Sequence, residues 1–101
     1  MTALTLANYK TQVTDYPGTV ILFFHAPWDT PGLKTAKFLR SEGLIPQEPK
    51  IFSVDYDTER ELVQKFSVRE LPQVFCLKSG EVIGQTDVCE TVEQLTALRN
   101  Q

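Results

Sequence analysis

The run TVILFFH, Thr19 to His25, constrains the fold of this chain more than any other stretch. A half-buried strand alternates apolar and polar residues, because successive side chains point to opposite faces. Here Val20, Ile21, Leu22, Phe23 and Phe24 are apolar at odd and even positions alike. Such a strand needs cover on both faces, as in the interior of an α/β sheet. KIFSVDY (Lys50 to Tyr56) and QVFCLK (Gln73 to Lys78) have similar character. EVIGQT (Glu81 to Thr86) follows the turn KSG, which makes it the second arm of a hairpin.

Helical patterns fill the intervals. In WDTPGLKTAKFLRSE, Leu33, Ala36 and Leu39 recur at helical spacing. Asp29 is expected as the N-cap and Pro31 in the first turn, where its missing N–H costs little. TEREL begins with Thr58 and carries Glu61 three residues on, the pattern of a capping box, ahead of a buried face of Leu62, Val63 and Phe66. TVEQLTAL repeats the signal, with Thr91 as cap, Gln94 closing the box, and Val92, Leu95 and Leu98 facing inward. Tyr9 and Val13, four apart, suggest a short helix from about Asn8 to Thr14. The expected order is β-α-β-α-β-α-β-β-α. That is a single α/β domain over residues 1–101, with a central mixed sheet, right-handed parallel crossovers, an antiparallel edge hairpin and helices on both faces.

The net charge of −3 speaks against a nucleic-acid partner or an anionic membrane surface. No segment approaches the roughly 18 apolar residues of a membrane span. MTALTLANYKTQV lacks the basic start and apolar run of a signal peptide. The two cysteines, Cys76 and Cys89, do not make a disulfide scaffold. A cytoplasmic protein is the resulting expectation.

Three stretches carry a resemblance to the thioredoxin family over essentially the whole chain. VILFFHAPWDTPGLK is similar to the family's strand followed by Ala, any residue, Trp, Cys, Gly, Pro, Cys and Lys; Ala26, Trp28 and Pro31 match, while Asp29, Thr30, Gly32 and Leu33 depart. FSVDYD resembles the third strand, ending at Asp55, and FSVRELPQVFCLKSGEVIG resembles the segment with the family's cis-proline and closing hairpin. The resemblance implies that Leu71–Pro72 is a cis peptide. Lys37 stands where the family commonly has a kinking proline, which implies a straighter helix. The connection to the third strand is shorter than the family's and carries Pro46 and Pro49, which implies that the second helix ends early, near Glu42 or Gly43.

The resemblance also implies what this chain should lack. The family's chemistry needs a nucleophilic thiolate at a helix N-terminus and a second thiol one turn later. Asp29 and Gly32 stand at those two positions, and neither forms a disulfide. The family's buried carboxylate and its neighbouring lysine correspond to Phe23 and Ile51, both apolar. The expectation is a redox-inactive thioredoxin-like protein that binds a protein or extended peptide through the former active-site groove. The groove is assigned to Pro27, Trp28, Asp29, Thr30, Pro31, Leu71, Pro72, Thr86 and Asp87, with the loop continuing to Val88. Leu71 would offer its backbone to a partner strand and Trp28 an aromatic anchor. Asp29 is either a helix cap alone or a fixed anion in the groove. No catalytic residue, metal or cofactor is expected, and the oligomeric state is not indicated. The alternative is a thiol-dependent redox protein or a glutathione-binding relative using Cys89, which falls just before the last helix and is expected to be partly exposed.

Other constellations are less specific. Asp55, Asp57 and Glu59 alternate as in a calcium loop, but Arg60 and Phe66 occupy the places that require Gly and Glu. The single histidine, His25, is expected to be structural, and Cys76 a small buried apolar residue in mid-strand. Lys34, Lys37 and Arg40 form a basic stripe, either a solvated face or a docking strip for an acidic partner.

Overall fold

In the computed structural model, which describes residues 1–43 and 49–101, five strands form one mixed sheet. Its elements are β1 (Thr2–Ala3), α1 (Leu6–Tyr9, continued by a π-helical turn, Lys10–Thr14), β2 (Thr19–His25), α2 (Gly32–Gly43), β3 (Lys50–Asp55), α3 (Arg60–Lys65), β4 (Gln73–Lys78), β5 (Glu81–Thr86) and α4 (Val92–Arg99). The strand order is β1-β3-β2-β4-β5. β3 runs parallel to both β1 and β2, whereas β4 is antiparallel to β2 and β5.

The apolar run Thr19 to His25 is the centre of this sheet. Val20 to Phe24 are all buried, and they divide by parity. Val20, Leu22 and Phe24 join Phe52, Val54, Phe75 and Leu77 under Tyr9, Val13, Leu62 and Val63 of the α1 and α3 side. Ile21 and Phe23 join Ile51, Val74 and Cys76 under Ala36 and Leu39 of α2 and Leu95 and Leu98 of α4. Two cores, one on each face, explain why β2 tolerates no polar residue in its middle.

Several local expectations need correction. The first strand, which the sequence did not locate, is only two residues long, Thr2 and Ala3 opposite Phe52 and Ser53. α1 begins at Leu6 rather than near Asn8, because Thr5 and Asn8 cap it reciprocally: Asn8 N–H donates to Thr5 Oγ1 (3.4 Å) and Thr5 N–H to Asn8 Oδ1 (2.8 Å). Thr58 does not cap α3. Asp55 Oδ1 accepts from Asp57 N–H (2.8 Å) and Thr58 N–H (3.2 Å), which folds a turn there and moves the helix start to Arg60. At α4, Thr91 Oγ1 accepts from Gln94 N–H (3.2 Å) as expected, but Gln94 Oε1 reaches back to Glu90 N–H (2.7 Å) instead of that of Thr91.

Leu33 and Val92 do not face inward; both are largely exposed. At about 100° per residue each lies roughly a quarter-turn or more from the centre of its helix's buried arc, Thr35–Ala36–Leu39 in α2 and Leu95–Leu98 in α4. α2 runs as continuous α-helix through Lys37 to Gly43. Pro46, in the connection that follows, lies outside the described residues. Ser79 and Gly80 both have positive φ, 52° and 80°, the signature of a two-residue hairpin turn whose twist matches its strands. A side chain at Gly80 would also press on the Thr14 backbone, with the carbonyl oxygen 3.0 Å from the added Cβ. The side chain of Gln101 folds back on β5, its Oε1 accepting from Gln85 N–H (2.9 Å) and its Nε2 donating to Gln85 O (3.0 Å). Among the described residues no helix is long and apolar enough to cross a membrane.

Candidate functional site: the loops at one end of the sheet

Register decides which loops meet. Phe24 pairs with Gln73, Val74 with Thr86, and His25 with Asp55. The segments that follow β2, β3 and β5 and precede β4 therefore gather at the same end of the sheet. They carry Pro27 to Pro31, Tyr56 to Glu59, Thr86 to Val88, and Leu71–Pro72. Three of these four loops carry the residues expected to form a groove, and the fourth, Tyr56 to Glu59, was not among them.

The loop after β2 turns its residues in different directions. Pro27, Trp28, Thr30 and Pro31 are exposed, but Asp29 is 4% exposed. Its Oδ1 accepts from Gly32 N–H at 3.1 Å, and its backbone oxygen accepts from the same N–H at 3.2 Å. Leu33 N–H donates to Thr30 O at 3.1 Å, so the first turn of α2 is wound with three-residue bonds around the Asp29 cap. The capping role holds; the groove anion does not, because the carboxylate points inward. Its room comes from Gly32. A Cβ added there would overlap Asp29 Oδ2 and lie 2.9 Å from Cγ. Asp29 Oδ2 and, further along α2, Thr35 Oγ1 are buried without a hydrogen-bond partner among the described residues. Residues 29 and 32 thus fit each other: an inward carboxylate at one needs the absence of a side chain at the other.

Trp28 is fixed from one side and open on the other. Its Nε1–H donates to the Asp57 carboxylate, 3.1 Å to Oδ2 and 3.4 Å to Oδ1. Its ring meets Tyr56 edge-on, with centroids 5.9 Å apart. Arg60 lies over that tyrosine at 4.7 Å and donates to the Tyr56 carbonyl at 3.0 Å. Even so, 61% of Trp28 is exposed. The sequence did not identify this Tyr56–Asp57–Arg60 buttress. The available signal was its position directly after β3, where the strand order puts it beside the Trp28 loop.

Across the groove, the Leu71–Pro72 peptide is cis, with Leu71 half-buried and Pro72 buried. The Thr86 hydroxyl accepts from Val88 N–H (3.2 Å) and donates to Val88 O (3.1 Å), closing the loop that displays Asp87 and Val88.

Beneath the loops the floor is apolar. Phe23 and Ile51 are buried in one cluster with Val74, Cys76 and Cys89, and half-buried His25 stacks on Phe23 with centroids 5.2 Å apart. Cys89 is fully buried, not partly exposed. Burial, reinforced by Glu42 and Glu90, pushes its thiol up to about 11. Burial also raises the Cys76 thiol, against a smaller lowering by Arg99. Both cysteines are free. A reactive cysteine is a thiolate with access to solvent, and neither of these qualifies. The site offers exposed apolar surface and a fixed indole, with no cysteine among the described residues that line it.

Comparison with known proteins agrees with the architecture. Residues 1–101 match the family model described as Thioredoxin. The chain is 32% identical over 94 residues to Thioredoxin H5 of Oryza sativa subsp. japonica, covering 87% of this chain and 70% of that protein. It is 31% identical over 85 residues to Thioredoxin of Bacillus subtilis (strain 168), covering 83% and 82% respectively. It superposes on the X-ray structure of Fasciola hepatica thioredoxin with a TM-score of 0.85, covering 99% of this chain and 97% of that one; at 20% identity that is a likeness of fold alone. The chain therefore belongs to the thioredoxin family, with both of its cysteines in the sheet-side core and none in the loop after β2.

Proposed function

We propose that this chain is a redox-inactive thioredoxin-family module of the cytoplasm that binds a protein or extended peptide at the loops ending β2, β3 and β5. The observation that carries this reading is the Asp29–Gly32 couple. A capped, inward carboxylate occupies the place from which a thiolate would have to project, and its neighbour has no side chain at all. Phe23 and Ile51, buried beneath it, are apolar side chains that carry no exchangeable proton. What remains is suited to recognition. Trp28 is held in one orientation before a partner arrives, which lowers the ordering cost of binding. Among the described residues the Leu71 N–H and C=O make no backbone hydrogen bond, so both are available to an added strand.

Two measurements test the reading. The purified protein is expected to show no catalytic disulfide reduction; turnover would overturn it. Trp28→Ala is expected to lose a captured partner while keeping most of the thermal stability, because the ring is mostly solvent-facing. A melting temperature that falls as far as the affinity does would assign the tryptophan to packing instead.

A further inference from the structure

We infer that the partner segment is acidic where it leaves the groove along α2, and that Leu33, Lys34, Lys37 and Arg40 form the strip that receives it. This rests on the groove reading above and names the chemistry of its occupant. Leu33, Lys37 and Arg40 are spaced i, i+4, i+7, so they line one face of the helix, with Lys34 beside them. All four are exposed, and Leu33, at 63%, continues the apolar surface of Trp28 and Pro31 onto the helix.

The charges on this face work against the helix that carries them. Beyond the Asp29 cap, α2 has no acidic residue in its first turn, where the helix dipole favours one, and Lys34 stands there instead. Lys34, Lys37 and Arg40 are successive i, i+3 neighbours, an arrangement that repels rather than stabilises. None of them forms an ion pair with a described residue; among the described residues the one bridge is Lys10–Asp15, at the far end of the fold's first helical segment. The acid that α2 does carry, Glu42, lies at its far end, near Cys89. The protein as a whole carries −3, so a concentrated cationic strip next to the exposed indole orients an acidic partner here and repels it elsewhere. From Leu33 to Arg40 is about 10 Å at 1.5 Å per residue, which an extended chain spans in roughly three residues. The matching segment is an apolar residue seated against Trp28 and Leu33, followed within a few residues by two or more Asp or Glu.

The probes are two labelled synthetic peptides with the same Leu-Phe centre, one followed by glutamates and the other by lysines. The glutamate peptide is expected to bind at least about tenfold more tightly. That advantage should shrink when salt is raised from about 50 mM to about 500 mM, since the pairs are solvent-exposed. Lys37→Glu with Arg40→Glu should reverse the preference, Lys37→Gln with Arg40→Gln should abolish it, and Lys78→Glu, at the opposite end of β4, should leave it intact. Trp28→Ala should weaken both peptides. Equal, Trp28-dependent binding of the two peptides would overturn the acidic strip and leave the groove reading standing. Binding of neither, or binding indifferent to Trp28, would remove both.

Discussion

Replacing Gly32 by Ala adds a single methyl group at a position where helices ordinarily welcome it. In a helix Ala is favoured over Gly by roughly 0.5–1 kcal/mol. Here the methyl would overlap Asp29 Oδ2 and crowd Cγ at 2.9 Å. The carboxylate must then leave its place, and with it goes the 3.1 Å bond from Gly32 N–H. Loss of such a cap costs about 0.5–2 kcal/mol, and overfilling a packed site about 1–3 kcal/mol. Set against the propensity gain, Gly32→Ala is expected to destabilise the protein by about 1–3 kcal/mol. In an Asp29→Ala background neither the overlap nor the cap exists, so the same change should stabilise by roughly 0.5–1 kcal/mol. Urea unfolding of the four proteins, followed by circular dichroism, measures the cycle. The sign of the Gly32→Ala effect should depend on what stands at 29. If the two substitutions added to within about 0.5 kcal/mol, the fitted couple would not exist.

Cys89 supplies a pH dependence. Its thiol is raised from an ordinary 9.0 to about 11 in the fold, so below pH 9 it is neutral in both folded and unfolded chains and its contribution is fully present. As pH climbs from 9 through 11 the unfolded chain ionises first, and stability falls by about 2–3 kcal/mol. Relative to Cys89→Ala, the wild type should lose that margin across the window; a constant difference from pH 8 to 11 would contradict the burial. In native buffer at pH 8 neither Cys76 nor Cys89 should react with a thiol reagent within the time that unfolded chains label fully, and rapid labelling of one thiol would reopen a role for it. Thr91→Ala should cost about 1 kcal/mol through loss of the 3.2 Å cap on Gln94 N–H, read as a shift in the unfolding midpoint.

The sequence was most legible where one signal dominated. A seven-residue run, apolar at both parities and rich in β-branched and aromatic residues, reads as an interior strand, and β2 is one. Thr91 and Asp29 precede helices as caps, and each accepts the backbone N–H three residues on. Misreadings came where two local solutions competed. Thr58 had Glu61 at capping-box distance, but Asp55 takes the amides of Asp57 and Thr58, the second being the one a Glu61 side chain would have bonded. Leu33 and Val92 matched the helical period at its margin, where one turn at the end of a helix overhangs the core it serves. β1 could not be read from Thr2 and Ala3, since two residues carry no period. The inward turn of Asp29 was also hidden. A cap and an exposed anion share one sequence signature, and the difference lies in the void left by Gly32, which only a backbone in three dimensions displays.

The fold-back of Gln101 onto Gln85 has a bearing on colloidal behaviour. An open sheet margin is a template for stacking identical molecules into fibres, and β5 is such a margin on one side. At Gln85 the outward N–H and C=O are already satisfied by a primary amide that imitates the next peptide unit. On the other side, β1 is two residues long and gives a foreign chain almost no ladder to grip. Each lateral boundary is thereby blunted, at Gln85 on one side and by the shortness of β1 on the other.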